Sequence, residues 1–173
     1  MPDYRRVRDG STFFFTVVAR NRQPVLCHPA VKRQLRQSIL DLRHQRPFQI
    51  DAWVLLPDHL HCIWTLPDAD NDYSARWGWL KKEVTKQIRS LPELVEAAYP
   101  SLWQKRFWEH RFRDEADYAA HCDYIHLNPV KHGWVSRPAD WPWSTFHRFV
   151  SEGIYTVAWG REDTVISDDV GNE

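Results

Sequence analysis

Leu56-Pro57-Asp58-His59-Leu60-His61-Cys62-Ile63-Trp64 joins two apolar runs, Phe48 to Leu56 before the Pro-Asp corner and a second that reaches Leu66 after it. Two such runs around a two-residue corner predict a β-hairpin. Residues i and i+2 of a strand share a face. His59 and His61 therefore project side by side, while Leu60 and Cys62 point the other way. Two imidazoles on one sheet face beside a turn make half of a metal site. An HxH pair alone occurs on strands of many unrelated sheets, so the rest of the chain has to decide its meaning.

Upstream, Thr12 to Ala19 (TFFFTVVA) is aromatic and β-branched and predicts a first strand. Arg20-Asn21-Arg22 leaves it as a polar loop. From Pro29 to Gln45 the period becomes helical, with Val31, Leu35, Ile39 and Leu42 inward and Lys32, Arg33, Arg36 and Arg43 off that stripe. Downstream, Tyr73 to Ser90 is helical with Trp77, Leu80, Val84 and Ile88 inward; Lys82, Lys86 and Arg89 fall on a second face. Phe107 to Phe112 predicts a fourth strand. Asp114 to about His132 predicts a third helix, capped by Asp114 and closed by Gly133. A short strand or helix follows Trp141-Pro142-Trp143. The order β-α-β-β-α-β-α is α+β. Its first six elements match the ferredoxin-like split β-α-β pattern, an antiparallel sheet with helices on one face, to which an extra C-terminal helix is added. The other face must then be covered by something else or used, and it is the face on which His59 and His61 can lie.

The 173 residues suggest one domain, and 43% hydrophobic with 14% aromatic residues is enough for a real core. No apolar run is long enough for a membrane span and no signal peptide is visible, which with three cysteines and no CxxC pair favours a reducing cytoplasm. Cys27, Cys62 and Cys122 read as small core residues. Net charge is zero but uneven. Arg161 to Glu173 holds five acids and one base, leaving 22 bases against 18 acids before it, a net of +4. The chain divides into a domain of residues 1–160 and an acidic tail of residues 161–173, whose simplest role is solubility.

In the third helix, Tyr118, Cys122 and Ile125 (i, i+4, i+7) make the core stripe, and His121, Tyr124 and Asn128 (i, i+3, i+7) line a neighbouring face. Tyr124 is one step off the apolar line and is expected to reach toward solvent. Asn128 precedes Pro129, which biases it away from the α region, so the helix is expected to kink or end there.

The pairing of L-P-D-H-L-H with D-Y-I-H-L-N-P-V-K-H-G resembles the REP-associated tyrosine transposases, a branch of the HUH single-strand nucleases. The segments F-F-F-T-V-V-A-R-N-R, L-W-Q-K-R-F-W-E-H-R-F-R-D-E-A-D-Y and W-P-W-S-T-F support it, and the resemblance spans about Ser11 to Phe149. Asp58 departs from it, since the family commonly has Asn there; either residue fits the turn.

The resemblance implies that His59 and His61, with Asn128, bind Mg²⁺ or Mn²⁺. It implies that Tyr124 is the nucleophile, forming a 5′-phosphotyrosine and freeing a 3′-OH. A free phenol has a pKa of about 10, so a base or the metal's field must assist; His121 and His126 are candidates. The implied substrate is single-stranded DNA folded into hairpins, the repetitive extragenic palindromes of bacterial chromosomes, and the implied place is the bacterial cytoplasm at the nucleoid. Candidate DNA contacts are Arg5, Arg6 and Arg8, Arg20 and Arg22, Lys82, Lys86 and Arg89, and Lys105, Arg106 and Arg111, with Trp103 and Trp108 for stacking on unpaired bases. A monomer is expected, with a dimer open. Two other readings stand beside the transposase: a hairpin binder without chemistry, and a metal-dependent hydrolase that uses water.

Overall fold

The computed structural model describes residues 11–160. The Arg5-Arg6-Arg8 arm and the acidic tail lie outside the described residues. The strands are β1 (Thr12–Val18), β2 (Gln49–Leu55), β3 (His59–Thr65) and β4 (Trp108–Arg111); the helices are α1 (Pro29–Gln45), α2 (Tyr73–Ile88), α3 (Glu115–Lys131) and α4 (Phe146–Ser151). The sheet order is β2-β3-β1-β4 and every pair is antiparallel. β3 thus enters between β1 and β2, which is the split β-α-β arrangement.

The β2–β3 hairpin closes as its sequence predicts. Leu55 pairs with Leu60, and Leu56 N–H donates to His59 O at 2.9 Å, leaving Pro57-Asp58 as the corner. Strand alternation then sorts side chains onto two cores. Phe13, Phe15 and Val17 of β1 and Leu60, Cys62 and Trp64 of β3 pack beneath α1 and α2. Trp64 stacks on Trp77 of α2 with ring centres 4.1 Å apart. Phe14, Ala52, Val54 and Ile63 face the other way, against Tyr118, Cys122, Tyr124 and Ile125 of α3 and Phe146 and Phe149 of α4.

That second core settles how the histidine-bearing face is used. α3 covers it, lying across β2 and β3, which makes the molecule three-layered. One expectation is corrected: Tyr124 does not reach solvent; it is 4% exposed. α3 is buried between the sheet on one side and α4 with the segment after it on the other, so a polar stripe that an isolated amphipathic helix would leave wet is enclosed. The helix also does not end at Asn128. It runs on to Lys131 with Pro129 inside it, closed by His132 N–H donating to Asn128 O and by Gly133 at φ 72°. A proline so near the end disrupts little of the ladder that remains. Asp114 caps the start by accepting from Asp117 N–H at 2.8 Å. Cys62 and Cys122 are core residues, whereas Cys27 is only half-buried. Among the described residues, no helix is long and apolar enough to cross a membrane.

Candidate active site

His61 stands opposite Thr16 in the β1–β3 ladder, and Thr16 Oγ1 lies 2.8 Å from His61 Nδ1. His59 Nδ1 lies 2.7 Å from Asp58 Oδ1. Each ring therefore has Nδ1 engaged by an oxygen, which settles its orientation and leaves Nε2 as the candidate ligand atom. The rings are edge to face with centres 4.9 Å apart. Burial, reinforced by the neighbouring His59, holds the His61 imidazole well below its ordinary pKa and so neutral, the form that binds metal. Asp58 has the opposite balance. Burial works against its charge, but the His59 hydrogen bond and Arg22, 3.2 Å away, outweigh it and hold the carboxyl below its usual value. The Asn-to-Asp departure thus supplies a carboxylate behind His59.

Across from the hairpin, Tyr124, Asn128 and His132 recur at i, i+4 and i+8 along one face of α3 and its cap. The Tyr124 ring is 5.1 Å from the His61 ring, and the His132 ring is 5.1 Å from the His59 ring. The two ends of the row meet the two histidines, which places Asn128 between them. Asn128 is fully buried, and neither its amide oxygen nor its amide nitrogen finds a hydrogen-bond partner among the described residues. Leaving such a group unsatisfied costs about 1–3 kcal/mol. A buried carbonyl oxygen kept without a donor, on the helix face that meets His59 and His61, fits a divalent cation. Such a N₂O set leaves further positions on a six-coordinate ion for water or a phosphate oxygen. Lys131 Nζ lies 5.0 Å from the Tyr124 ring centre.

The two histidines expected to assist Tyr124 are committed elsewhere. His121 Nδ1 contacts Asp117 O at 2.8 Å, and its ring stacks on His110 at 4.6 Å. His110 Nε2 is 2.8 Å from Asp117 Oδ2. His110, Asp117 and His121 offer ligand atoms within 4.8 Å of one another, the spacing of a metal cluster. Arg113 also donates to Asp117 through its N–H and Nε, so the carboxylate is already neutralised without an ion. His126 is fully buried between Thr145 Oγ1 at 2.9 Å and Tyr155 Oη at 3.2 Å, and burial pushes its pKa down to about 3. It braces α3 against α4.

The expected DNA contacts divide. Arg20 donates to Ser101 O and Tyr99 O, and Arg89 to Ala98 O and Pro100 O, so these guanidiniums hold the loop before β4. Arg22 stays at the site through Asp58. Lys82, Lys86, Lys105, Arg106 and Arg111 are exposed. Trp103 is 3% exposed and belongs to the α1/α2 core, which removes it as a stacking platform. Trp108 is 41% exposed, opposite Thr16 on β4 and 5.6 Å from Phe14. Sequence reading missed Thr16, Lys131 and His132. Thr16 could have been found from the strand register, and His132 from its i+8 spacing to Tyr124.

Residues 10–128 match the family model described as "Transposase IS200 like". The chain is 46% identical over 168 residues to the REP-associated tyrosine transposase of Escherichia coli K12, covering 96% of each. It is 38% identical over 177 residues to a Haemophilus influenzae protein provisionally given the same name, covering 98% of this chain and 100% of that one. A solved structure of a REP-associated tyrosine transposase bound to a REP hairpin superposes with a TM-score of 0.78 at 47% identity, covering 96% of each chain. With its hairpin histidines and helical tyrosine already brought face to face, this chain belongs to the IS200-like transposases, among the REP-associated tyrosine transposases.

Proposed function

We propose that this chain is an endonuclease and strand transferase that cuts and rejoins single-stranded DNA at folded hairpins of the repetitive extragenic palindrome type. The reading is carried by the row on α3 that sets Tyr124 against His61 and His132 against His59, with an unsatisfied Asn128 between. The solved relative bound to a REP hairpin supports the substrate class. His59, His61 and Asn128 are the residues that would hold Mg²⁺ or Mn²⁺, and the ion would offset charge building on the scissile phosphate.

The chain's own groups do the rest. Tyr124 Oη attacks phosphorus, the phosphorus–O3′ bond breaks, and the products are a 5′-phosphotyrosine and a free 3′-OH. Burial restrains the Tyr124 ring, so that the nucleophile is presented in one pose. Lys131, with Nζ over the Tyr124 ring, supplies positive charge that favours the phenolate as the phenol proton leaves and ends on the departing O3′. Exclusion of water from the enclosed ring cluster protects the covalent link from hydrolysis until a second 3′-OH reverses the step. The exposed cations Lys82, Lys86, Lys105, Arg106 and Arg111, with Arg22 at the site, provide phosphate contacts, and Trp108 a stacking surface for an unpaired base.

The test is a labelled REP-hairpin oligonucleotide incubated with Mn²⁺ and resolved under denaturing conditions. A protein–DNA adduct is expected, together with its loss in Tyr124→Phe. Cleavage that persists in Tyr124→Phe without an adduct would mean a water nucleophile. Binding without cleavage would mean a regulator of these repeats.

A further inference from the structure

A groove of about 930 Å³ runs along the β2 edge of the sheet, between α1 and the extended segment of residues 142–145. That segment is built onto the edge strand: Leu55 N–H donates to Trp143 O at 2.8 Å and Thr145 N–H to Trp53 O at 2.9 Å. Five cations line the groove, Lys32, Arg33, Arg36, Arg43 and Arg148, and no acid does. Lys32, Arg36 and Arg43 follow i, i+4 and i+11 along α1, so they track the groove for about 16 Å at 1.5 Å per residue. Arg43 and Arg148 are partly occupied by the backbone carbonyls of Phe48, Ile50 and Asp51. Arg33 and Arg36 are exposed and make no hydrogen bond or ion pair among the described residues.

The floor and far wall carry indoles. Trp53 is half-buried and Trp143 is 40% exposed. Lys32 Nζ sits 3.2 Å from the Trp143 ring centre, so the exposed area of that ring lies on its edges and other face. One end of the groove adjoins the hairpin that carries the histidines. The loop leading into α1 is tied to the Pro57 carbonyl by Leu26 N–H at 2.8 Å, and Leu55 lines the groove just before that turn.

A row of guanidiniums facing aromatic surfaces, with no acid in the lining, is the chemistry that grips unpaired nucleic acid: phosphates on the arginines and bases against the indoles. An acidic peptide would satisfy the cations but has no comparable use for two indole surfaces. We propose that this groove is a sequence-tolerant path for single-stranded DNA continuing away from the cleavage point, an assignment that rests on the hairpin-processing function above. It extends the DNA footprint to an edge of the molecule where neither the histidines nor Tyr124 lie.

The test compares a REP hairpin with the same hairpin extended on either side by thymidines. The extended form is expected to bind about tenfold tighter. Arg33→Gln with Arg36→Gln should remove that gain, and should lower the salt slope for the extended form by about 1.4, at roughly 0.7 per phosphate contact. Both changes should leave affinity for the bare hairpin and cleavage of it unaltered. Trp143→Ala should remove most of the gain by itself. Equal affinity for the two oligonucleotides, or equal loss on both in the variants, overturns the proposal while leaving the hairpin reading intact.

An oligothymidine without any hairpin provides a separate arm. Ultraviolet crosslinking should label the peptides that contain Trp53 or Trp143, even if hairpin binding itself fails; labels confined to other peptides overturn the groove assignment. An acidic peptide of matching charge should compete at least about tenfold less well for the oligothymidine. Equal competition would show a site that reads charge alone and would overturn the nucleic-acid assignment.

Discussion

On β3, Leu60, Cys62 and Trp64 enter the core beneath α1 and α2, while His59 and His61 turn the other way, under α3. The same seven-residue strand thus serves two layers with different purposes. Beneath α1 and α2 the packing is aromatic, with Trp64 against Trp77 and Phe48, and its energy is close packing. Under α3 the strand meets His132 and Tyr124, and the buried amide of Asn128 on the same helix face has no hydrogen-bond partner among the described residues. The first layer is built for stability. The second tolerates polar groups that cost stability, which is the usual signature of a site kept for chemistry. The lesson is that both layers must be dry. Burial holds the His61 imidazole neutral, and it is available only because a third helix closes a face that the first six elements leave uncovered.

This contrast can be broken one face at a time. The widest separation is expected from paired substitutions on β3. Trp64→Ala should cost about 3–5 kcal/mol in urea unfolding through the cavity it leaves, yet cutting per folded molecule should be unchanged. His59→Ala should do the reverse, abolishing cutting with hairpin affinity largely retained; parallel loss of both would make the histidines structural.

A smaller effect is expected behind His59. Asp58→Ala removes the oxygen that orients His59 and should raise the Mn²⁺ concentration for half-maximal cleavage about 10–100-fold, with Asp58→Asn in between. An unchanged metal requirement would detach the carboxylate from the site.

The brace at His126 has a pH signature. Its pKa is lowered by burial from 6.5 to about 3, so the unfolded chain takes up a proton that the folded chain refuses. Stability is therefore full above the unfolded value and is lost as pH falls below it. The loss should reach about 2 kcal/mol by about pH 5. His126→Leu should flatten that slope, whatever it does to stability at neutral pH. A slope that persists undiminished would assign the effect to other groups.

The least effect, but the one of opposite sign, is Asn128→Leu. Replacing the unsatisfied amide with an apolar side chain of similar size should raise stability by about 1 kcal/mol in metal-free buffer while cutting is lost. A destabilised variant would show that Asn128 is satisfied in solution.

Much of this was legible from local pattern. The Pro-Asp corner, the shared face of His59 and His61, the span of α1 and the Asp114 cap follow from periods and turn chemistry that act over a few residues. Other features were misread for the same reason. Trp103 sits among Lys105, Arg106 and Arg111 in sequence and looks like a stacking platform, yet its indole packs under α1 and α2. Arg20 and Arg89 look like phosphate contacts, yet the loop before β4 uses them for its carbonyls. His121 and His126 flank Tyr124 in sequence, but His121 is held by Asp117 and His110, and His126 is turned toward Thr145 and Tyr155.

The sequence by itself determined the elements, their order, the hairpin that carries the histidines and the helix that carries Tyr124 and Asn128, because period and capping are properties of neighbours along the chain. Only the tertiary structure decided that α3 crosses the histidine face, that Thr16 and Asp58 orient the two rings, that His132 joins them and that Asn128 is buried unsatisfied between them. Those outcomes depend on strand register and on which apolar face each helix must bury, and both are settled by contacts between residues that local pattern never brings together.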